Sequence, residues 1–462
     1  MQDEVRTADR NAETPVLYAV PADPTISFSL QFAAGSANDP PGKEGLAYLT
    51  GEMLADAATE RHSYDEILAK LYPLASRYEM RIDREATTLT GRTHRDKLSE
   101  YLPLFTDAYL RPAFDVRDFR RIQHDAINYL ENTLRYSSDE ELAKAALYGF
   151  IFAGTRYAHP TCGTVAGLRA VSLDDVREFY RRHYTSAAAR LGLGGGFDEA
   201  LLDRLRASLG QMPSGAAAAP LDISAPRVLG RSVLLIAKPG ADASMSFGFP
   251  LGVLRGERDF YALWVANSWL GEHRHQASHL FQVIRELRGL NYGDYSYIEA
   301  FPEGGERSMP PINVPRRHAI FEVWLRTLPN GQALFALRAA LRELQSLVDR
   351  GLSNEQFELT RAFLKKYILH FADSTSARLA YAMDDRFYGL AGEGHLERFA
   401  RILDELTTDE VNAAISKHLQ YADLKIAIVS GAAEQLAAAL AAGAPTPIEY
   451  PNPKPQAILD ED

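Results

Sequence analysis

Cysteine is almost missing: Cys162 is the one thiol in 462 residues, so no internal disulfide can form and no thiolate zinc cluster is available. Long apolar runs are missing too. The most apolar stretches, such as 145–153, are broken by glycine or charge within about ten residues, well short of the ~18–20 that a membrane span needs. Residues 1–14 are polar and mixed in charge, with no apolar segment of a secretory signal. There is no basic stripe interleaved with aromatics, and 61 Asp+Glu against 50 Lys+Arg leave a net charge of −11, so nucleic acid is not expected as a partner. What remains, 46% hydrophobic and 24% charged residues, is an ordinary globular composition, with length for two to four domains at roughly 100–200 residues each.

The strongest positive signal is internal similarity. The strand-like Ile26-Ser-Phe-Ser-Leu-Gln-Phe resembles Met245-Ser-Phe-Gly-Phe. Further on, Phe114-Asp-Val-Arg-Asp-Phe119 matches Leu352-Ser-Asn-Glu-Gln-Phe357, and each opens an amphipathic helix with cap chemistry, Asp115 in one and Ser353 with Gln356 in the other. Ser172-Leu-Asp-Asp-Val176 pairs with Thr407-Thr-Asp-Glu-Val411, and a strand and closing helix follow each at the same offset. The chain therefore reads as two copies of one α+β unit, each a mixed or antiparallel sheet covered by helices. The expected domains are 1–210 and 222–462, joined by the Ala-, Pro- and Gly-rich connector 211–221. Each copy reads strand–helix–helix–strand–strand–helix–helix–helix–strand–helix, too few βαβ units for a doubly wound parallel sheet.

Two motifs invite other chemistry. The run Gly192-Leu-Gly-Gly-Gly196 follows a strand, but Phe197 stands where a dinucleotide fingerprint needs its last glycine, so a strand-to-helix turn is the better reading. Among twelve histidines, His275 and His279 are spaced i, i+4, which on a helix puts both imidazoles on one face. Ser278 occupies the position where an inverted zincin motif has its carboxylate, which favours a solvated polar helix start; a displaced metal site there is the alternative.

With the duplication in hand, Gly42-Lys-Glu-Gly-Leu-Ala-Tyr-Leu-Thr-Gly-Glu-Met-Leu54 resembles the zinc-site helix of the M16 (pitrilysin, or insulinase) metallopeptidases, in particular the half-size M16B subunits. In active members two histidines one turn apart hold zinc and a glutamate between them activates water. Here Tyr48 and Glu52 stand at the ligand positions and Gly51 at the base position. A phenol titrating near 10 is a poor ligand, and glycine offers no base. The third ligand of the family, a glutamate on a later helix, best matches Glu141, with Glu140 the other option; Ser138 and Glu141 also read as a capping box. The resemblance extends over roughly 15–436, through Pro112-Ala-Phe, Tyr157-Ala-His-Pro-Thr-Cys-Gly-Thr164, and Leu280-Phe-Gln-Val-Ile-Arg-Glu-Leu-Arg-Gly-Leu-Asn-Tyr292.

That last segment resembles the Arg-Gly-Leu-x-Tyr element of the family, whose arginine and tyrosine seven residues apart contact substrate at the zinc site. Arg285 and Tyr292 have this spacing; Arg288, one turn on, is expected to matter less. From the residues alone, the arginine ends a helix that begins near Ser278 and Tyr292 starts an alternating strand over 291–299, half buried. The resemblance implies an M16 peptidase-like (LuxS/MPP-like) fold and a non-catalytic subunit of a heterodimeric M16B zinc metallopeptidase. On that reading this chain holds no cofactor, zinc sits in a catalytic M16 partner with an intact motif, and Arg285 and Tyr292 serve that partner's site during processing of an unfolded peptide. A homodimer stays open as the assembly. A structural scaffold without a role in proteolysis is the second reading. If the chain is complete a cytoplasmic location is expected, and a periplasmic one if a signal has been removed.

Overall fold

A computed structural model describes residues 14–215, 221, 223–390, 392–450 and 452–461. Among the described residues ten strands form two five-stranded sheets. The first sheet uses β1 (Val16–Ala19), β2 (Thr25–Phe32), β3 (Arg77–Ile82), β4 (Thr87–His94) and β5 (Ala189–Gly195), in the order β1-β5-β2-β4-β3. The second uses β6 (Ser232–Ala237), β7 (Ala243–Leu251), β8 (Asp294–Tyr297), β9 (Ala319–Leu328) and β10 (Lys425–Ser430), in the order β6-β10-β7-β9-β8. Adding five to each strand number of the first order gives the second, so the duplication read from the sequence is a duplication of topology. Both sheets are mixed: β1 with β5 and β6 with β10 pair in parallel, the other neighbours antiparallel.

The matched helix starts hold as well. Val116–Asn128 and Asn354–Tyr367 begin at the Asp115 and Ser353 caps, and Leu173–His183 and Thr408–His418 begin at capping boxes built on Ser172 with Asp175 and Thr407 with Glu410. The sequence reading has one strand too few per half. It misses β1 and β6, which are edge strands whose partial burial leaves no sharp hydrophobic alternation.

In β2, Ile26, Phe28, Leu30 and Phe32 enter the first core while Ser27, Ser29 and Gln31 point the other way, yet all seven are buried. The reason is an exchange between the halves. Helix Thr375–Tyr388 of the second half packs on β1, β2 and β5 of the first sheet, and helix Asp139–Ile151 of the first half packs on β7 and β10 of the second. A side chain at Gly192 would meet the Met383 sulfur at 2.7 Å, and one at Gly194 would meet Thr375 at 3.1 Å. Those two glycines let the visiting helix approach the sheet, while Gly195, with φ 98°, makes the turn that the sequence predicts. On the other side Leu147, Tyr148 and Ile151 join Ile320 and Ala427 in a cluster shared by both halves. Residues 216–220 of the predicted connector lie outside the described residues; its last residue, Leu221, and Ile223 just beyond it pack on this shared cluster.

Three ion pairs tie the end of β3 and the turn after it to the second half. Arg316 grips Asp83 bidentately at 2.6 and 2.7 Å, Arg317 meets Glu85 at 2.6 Å, and Arg81 meets Glu303 at 3.0 Å. Burial alone raises Asp83, but the Arg316 guanidinium, with Arg84 and Arg81 behind it, holds the carboxyl below its ordinary range.

Candidate functional site

The helix Leu46–Ala55 is launched by Gly45 in a left-handed conformation, φ 116°. Its first amides are capped from outside the helix: Gly45 N–H and Ala47 N–H both donate to the Asp39 carboxylate at 2.7 Å. Burial pushes Asp39 up to about 7 despite these bonds. The Tyr157–Thr164 segment packs on this entry. A side chain at Gly163 would lie 2.2 Å from Glu44 O, His159 sits 3.9 Å from Asp39, and Thr164 caps the next helix. The resemblance motifs around the helix are therefore scaffolding for its start.

Tyr48, Glu52 and Glu141 line one cavity of about 430 Å³ between the halves, with Cys162 and Tyr129 beside them. Burial and then the neighbouring Glu52 push the Tyr48 phenol far above its ordinary value. Burial and then Asp56 raise Glu52 to about 7, against a smaller opposing effect of Arg121. Arg121 is itself engaged by Asp56 at 2.8 Å and lies over the Tyr64 ring. Gly51, at the base position, faces β3, where a side chain's first carbon would come within 2.6 Å of Ile82 Cγ1 and 3.2 Å of Met80. The space that a glutamate would need is filled by the sheet.

The two glutamates lie in different surroundings. Glu140 accepts from Arg326 Nε at 3.0 Å and from Thr327 N at 3.1 Å, leaving Glu141 on the cavity wall. The expected capping box is half formed: Ser138 accepts from Glu141 N at 3.3 Å, but the Glu141 carboxylate takes the N–H of Gly305, in the other half, instead of closing the box. Among the described residues no three His, Cys, Asp or Glu side chains come together as metal ligands. The residues at the zinc position of the family do not fit zinc: a buried phenol, no base, carboxylates without an imidazole beside them, and a Cys162 thiol that burial pushes up to about 12.

The expected helix through His275 and His279 is not formed. Residues 272–278 run through turns and a helix begins only at 279, so the two imidazoles do not share a helical face. His279 bonds Glu343 at 2.7 Å and stacks on Trp269, while His275 packs on Phe363 with ring centres 4.2 Å apart. Both are partly buried against the side of the second core.

Arg285 lies in the helical turn Phe281–Glu286, its guanidinium 4.5 Å from the Phe281 ring centre and its side chain one-third exposed. Tyr292 precedes β8 and is 75% exposed, where the sequence suggests a half-buried strand tyrosine. The strand is shorter than expected, and its four residues are all buried, so it shows no alternation. Neither Arg285 nor Tyr292 is among the residues lining the cavity of Tyr48 and Glu52. Arg288 is no neutral neighbour: it is 2% exposed, donates to Val283 O at 3.0 Å and pairs with Glu461 at 3.2 Å.

Sequence reasoning misses Lys144 and Glu322, which line the same cavity 3.5 Å apart and are both buried. Two signals were there. Lys144 falls one helical turn after Glu141, and Glu322 is a single charge inside the apolar strand Ala-Ile-Phe-Glu-Val-Trp-Leu.

Two models of one family match this chain, "Insulinase (Peptidase family M16)" over residues 16–164 and "Peptidase M16 inactive domain" over 170–364. An "uncharacterized zinc protease" of Streptomyces coelicolor is 30% identical over 217 residues, 45% of this chain and 42% of that protein, so the match spans less than half the relative's length. One of Mycobacterium leprae is 23% identical over 85% of this chain and 84% of its own length. Among solved structures, a peptidase M16 inactive domain from Pseudomonas fluorescens superposes with a TM-score of 0.78 at 22% identity, covering 89% of this chain and 94% of that one. A chain of complex III2 from Candida albicans does so with a TM-score of 0.71 at 17% identity, covering 92% and 95%. The two family models together span both halves, and the chain belongs to the M16 (insulinase) family of peptidases.

Proposed function

We propose that this chain is the non-catalytic subunit of a heterodimeric M16B zinc metallopeptidase, and that it lends Arg285 and Tyr292 to the zinc site of a catalytic M16 partner. The observation that carries the reading is the contrast between two places. At the ligand and base positions of its own motif the chain has a buried phenol, a carboxylate and a glycine packed on Ile82, whereas Tyr292 stands 75% exposed and away from that cavity. An exposed phenolic O–H and a guanidinium fork are the donors that a tetrahedral intermediate on a second chain can use. The substrate is an unfolded peptide, since a segment without a core of its own can enter a chamber between two such chains.

The test is a native pull-down of the full chain, followed by zinc analysis and cleavage of a long unstructured peptide by the chain alone and by the recovered pair. The expected result is an M16 partner, no tightly held zinc in this chain, and turnover only in the pair. A lone monomer, or chelator-sensitive turnover by this chain alone, overturns the reading. A scaffold role without chemistry is the second reading, favoured by the likeness in fold to a chain of a respiratory complex.

A further inference from the structure

Tyr292 projects from the loop ahead of β8, and among the described residues its side chain makes no hydrogen bond or ring contact. No neighbour packed on the ring sets its direction, so the backbone on either side must. That backbone is fixed by one side chain. Asn291 Nδ2 donates to Asp294 Oδ1 at 2.7 Å and to the Arg326 carbonyl at 3.2 Å, while Asn291 Oδ1 accepts from Gly293 N–H at 3.3 Å. Both amide hydrogens face acceptors and the amide oxygen faces a donor, which also fixes the orientation of the amide. The three bonds span Tyr292 and tie its loop to β9.

The strand that anchors this clamp is itself held from the other half. Arg326 N–H donates to the Gly293 carbonyl at 3.2 Å, and Glu140 of the first half accepts from Arg326 Nε and Thr327 N at 3.0 and 3.1 Å. Asp294 is buried, and burial pushes it up to about 8; the Asn291 amide, Arg326 and Arg285 act against burial, so the clamp lies within electrostatic reach of Arg285 as well. The first half has no such device. Its exposed Tyr72, ahead of β3, follows Leu71, a buried side chain without a hydrogen-bonding group. The clamp is present only in the half that carries both Arg285 and Tyr292.

We propose that Asn291 is a positioning residue, which holds the Tyr292 hydroxyl where the tetrahedral intermediate forms in the partner's site. This rests on the subunit reading above and names the side chain that makes its donor precise. A donor displaced by about 1 Å can cost on the order of a hundredfold in rate, and one carried on a loop depends on its supporting hydrogen bonds for that precision.

The test is a double-mutant cycle on turnover: Asn291→Ala, Tyr292→Phe and the two combined, in the reconstituted pair with assembly verified by gel filtration. Asn291→Ala is expected to lower kcat roughly ten- to a hundredfold and to leave KM within about twofold of the parent. In the Tyr292→Phe background it should lower kcat no further, because a displaced ring without its hydroxyl has nothing left to lose. A purely structural role would cost the same factor in both backgrounds. If Asn291→Ala does not assemble, Asn291→Ser, which retains an acceptor for the Gly293 N–H and loses both Nδ2 donors, takes its place in the cycle. Unchanged kcat in the Asn291 variant, an equal loss with and without the Tyr292 hydroxyl, or failure of both Asn291 variants to assemble overturns the inference; a loss of kcat in Tyr292→Phe then leaves the subunit reading standing. Unchanged kcat in Tyr292→Phe, or a pair without turnover, overturns both.

Discussion

The two halves share one strand order but use the same elements differently. The helix after the second strand is Leu46–Ala55 in the first half, with Tyr48 and Glu52 on a cavity wall; its counterpart Arg258–Gly271 is buried on nearly every side and presents no such pair. The helix before the third strand reverses the contrast. Each half shows an exposed tyrosine there, Tyr72 ahead of β3 and Tyr292 ahead of β8, but only the second half has an arginine in the preceding turn, since Tyr64–Leu71 contains none. Duplication has preserved what packing needs, and the halves differ in which side chains they leave facing the cavity or solvent.

The comparison breaks most severely where the halves are joined. Arg316→Ala strands the buried Asp83 carboxylate and should cost about 3–5 kcal/mol, read as a shift in the denaturant midpoint. Gly51→Glu should cost about 1–3 kcal/mol, because the new side chain must displace Ile82 and Met80. The same clash predicts that a Tyr48→His, Gly51→Glu, Glu52→His triple variant restores neither zinc retention nor turnover unless Ile82 is also reduced, which dialysis followed by metal analysis checks. Arg288→Ala should cost about 1–3 kcal/mol through its buried hydrogen bonds, whereas Arg285→Ala should stay within about 0.5 kcal/mol in the isolated chain.

The smallest effect is on pH. Burial raises Glu272 to about 7, Asp384 to about 7 and Asp294 to about 8, and each has an oxygen without a hydrogen bond. Folding therefore takes up protons where the unfolded carboxyls are already ionised, at about 1.4 kcal/mol per pH unit for each proton. Buried histidines such as His273, lowered to about 4, act in the opposite sense, but only below their unfolded value near 6.5. Between pH 6.5 and 8 the carboxyls decide the sign, and the melting temperature should fall as pH rises.

What the sequence discloses is what local chemistry decides. The Asp115, Ser353, Ser172 and Thr407 caps mark helix starts because their partners lie two or three residues away. The degenerate motif is visible for the same reason. Gly192 and Gly194 read as turn residues because the helix that needs their space lies almost two hundred residues on. Arg285 and Arg288 cannot be ranked by spacing, because Arg288 is buried by a C-terminal segment that folds back to bring Glu461 against it. The exchange of helices, and with it the cavity containing Lys144 and Glu322, exists only once both sheets have formed.

The paired tyrosines supply the decisive test. In the reconstituted heterodimer, with assembly verified by gel filtration, Tyr292→Phe removes a single hydroxyl that donates to the intermediate, and kcat should fall by roughly 10²–10³ while folding is unaffected. Tyr72→Phe, at the still more exposed counterpart in the other half, should leave kcat unchanged. If Tyr292→Phe also leaves kcat unchanged, this chain contributes no donor to its partner's chemistry and the central claim is wrong.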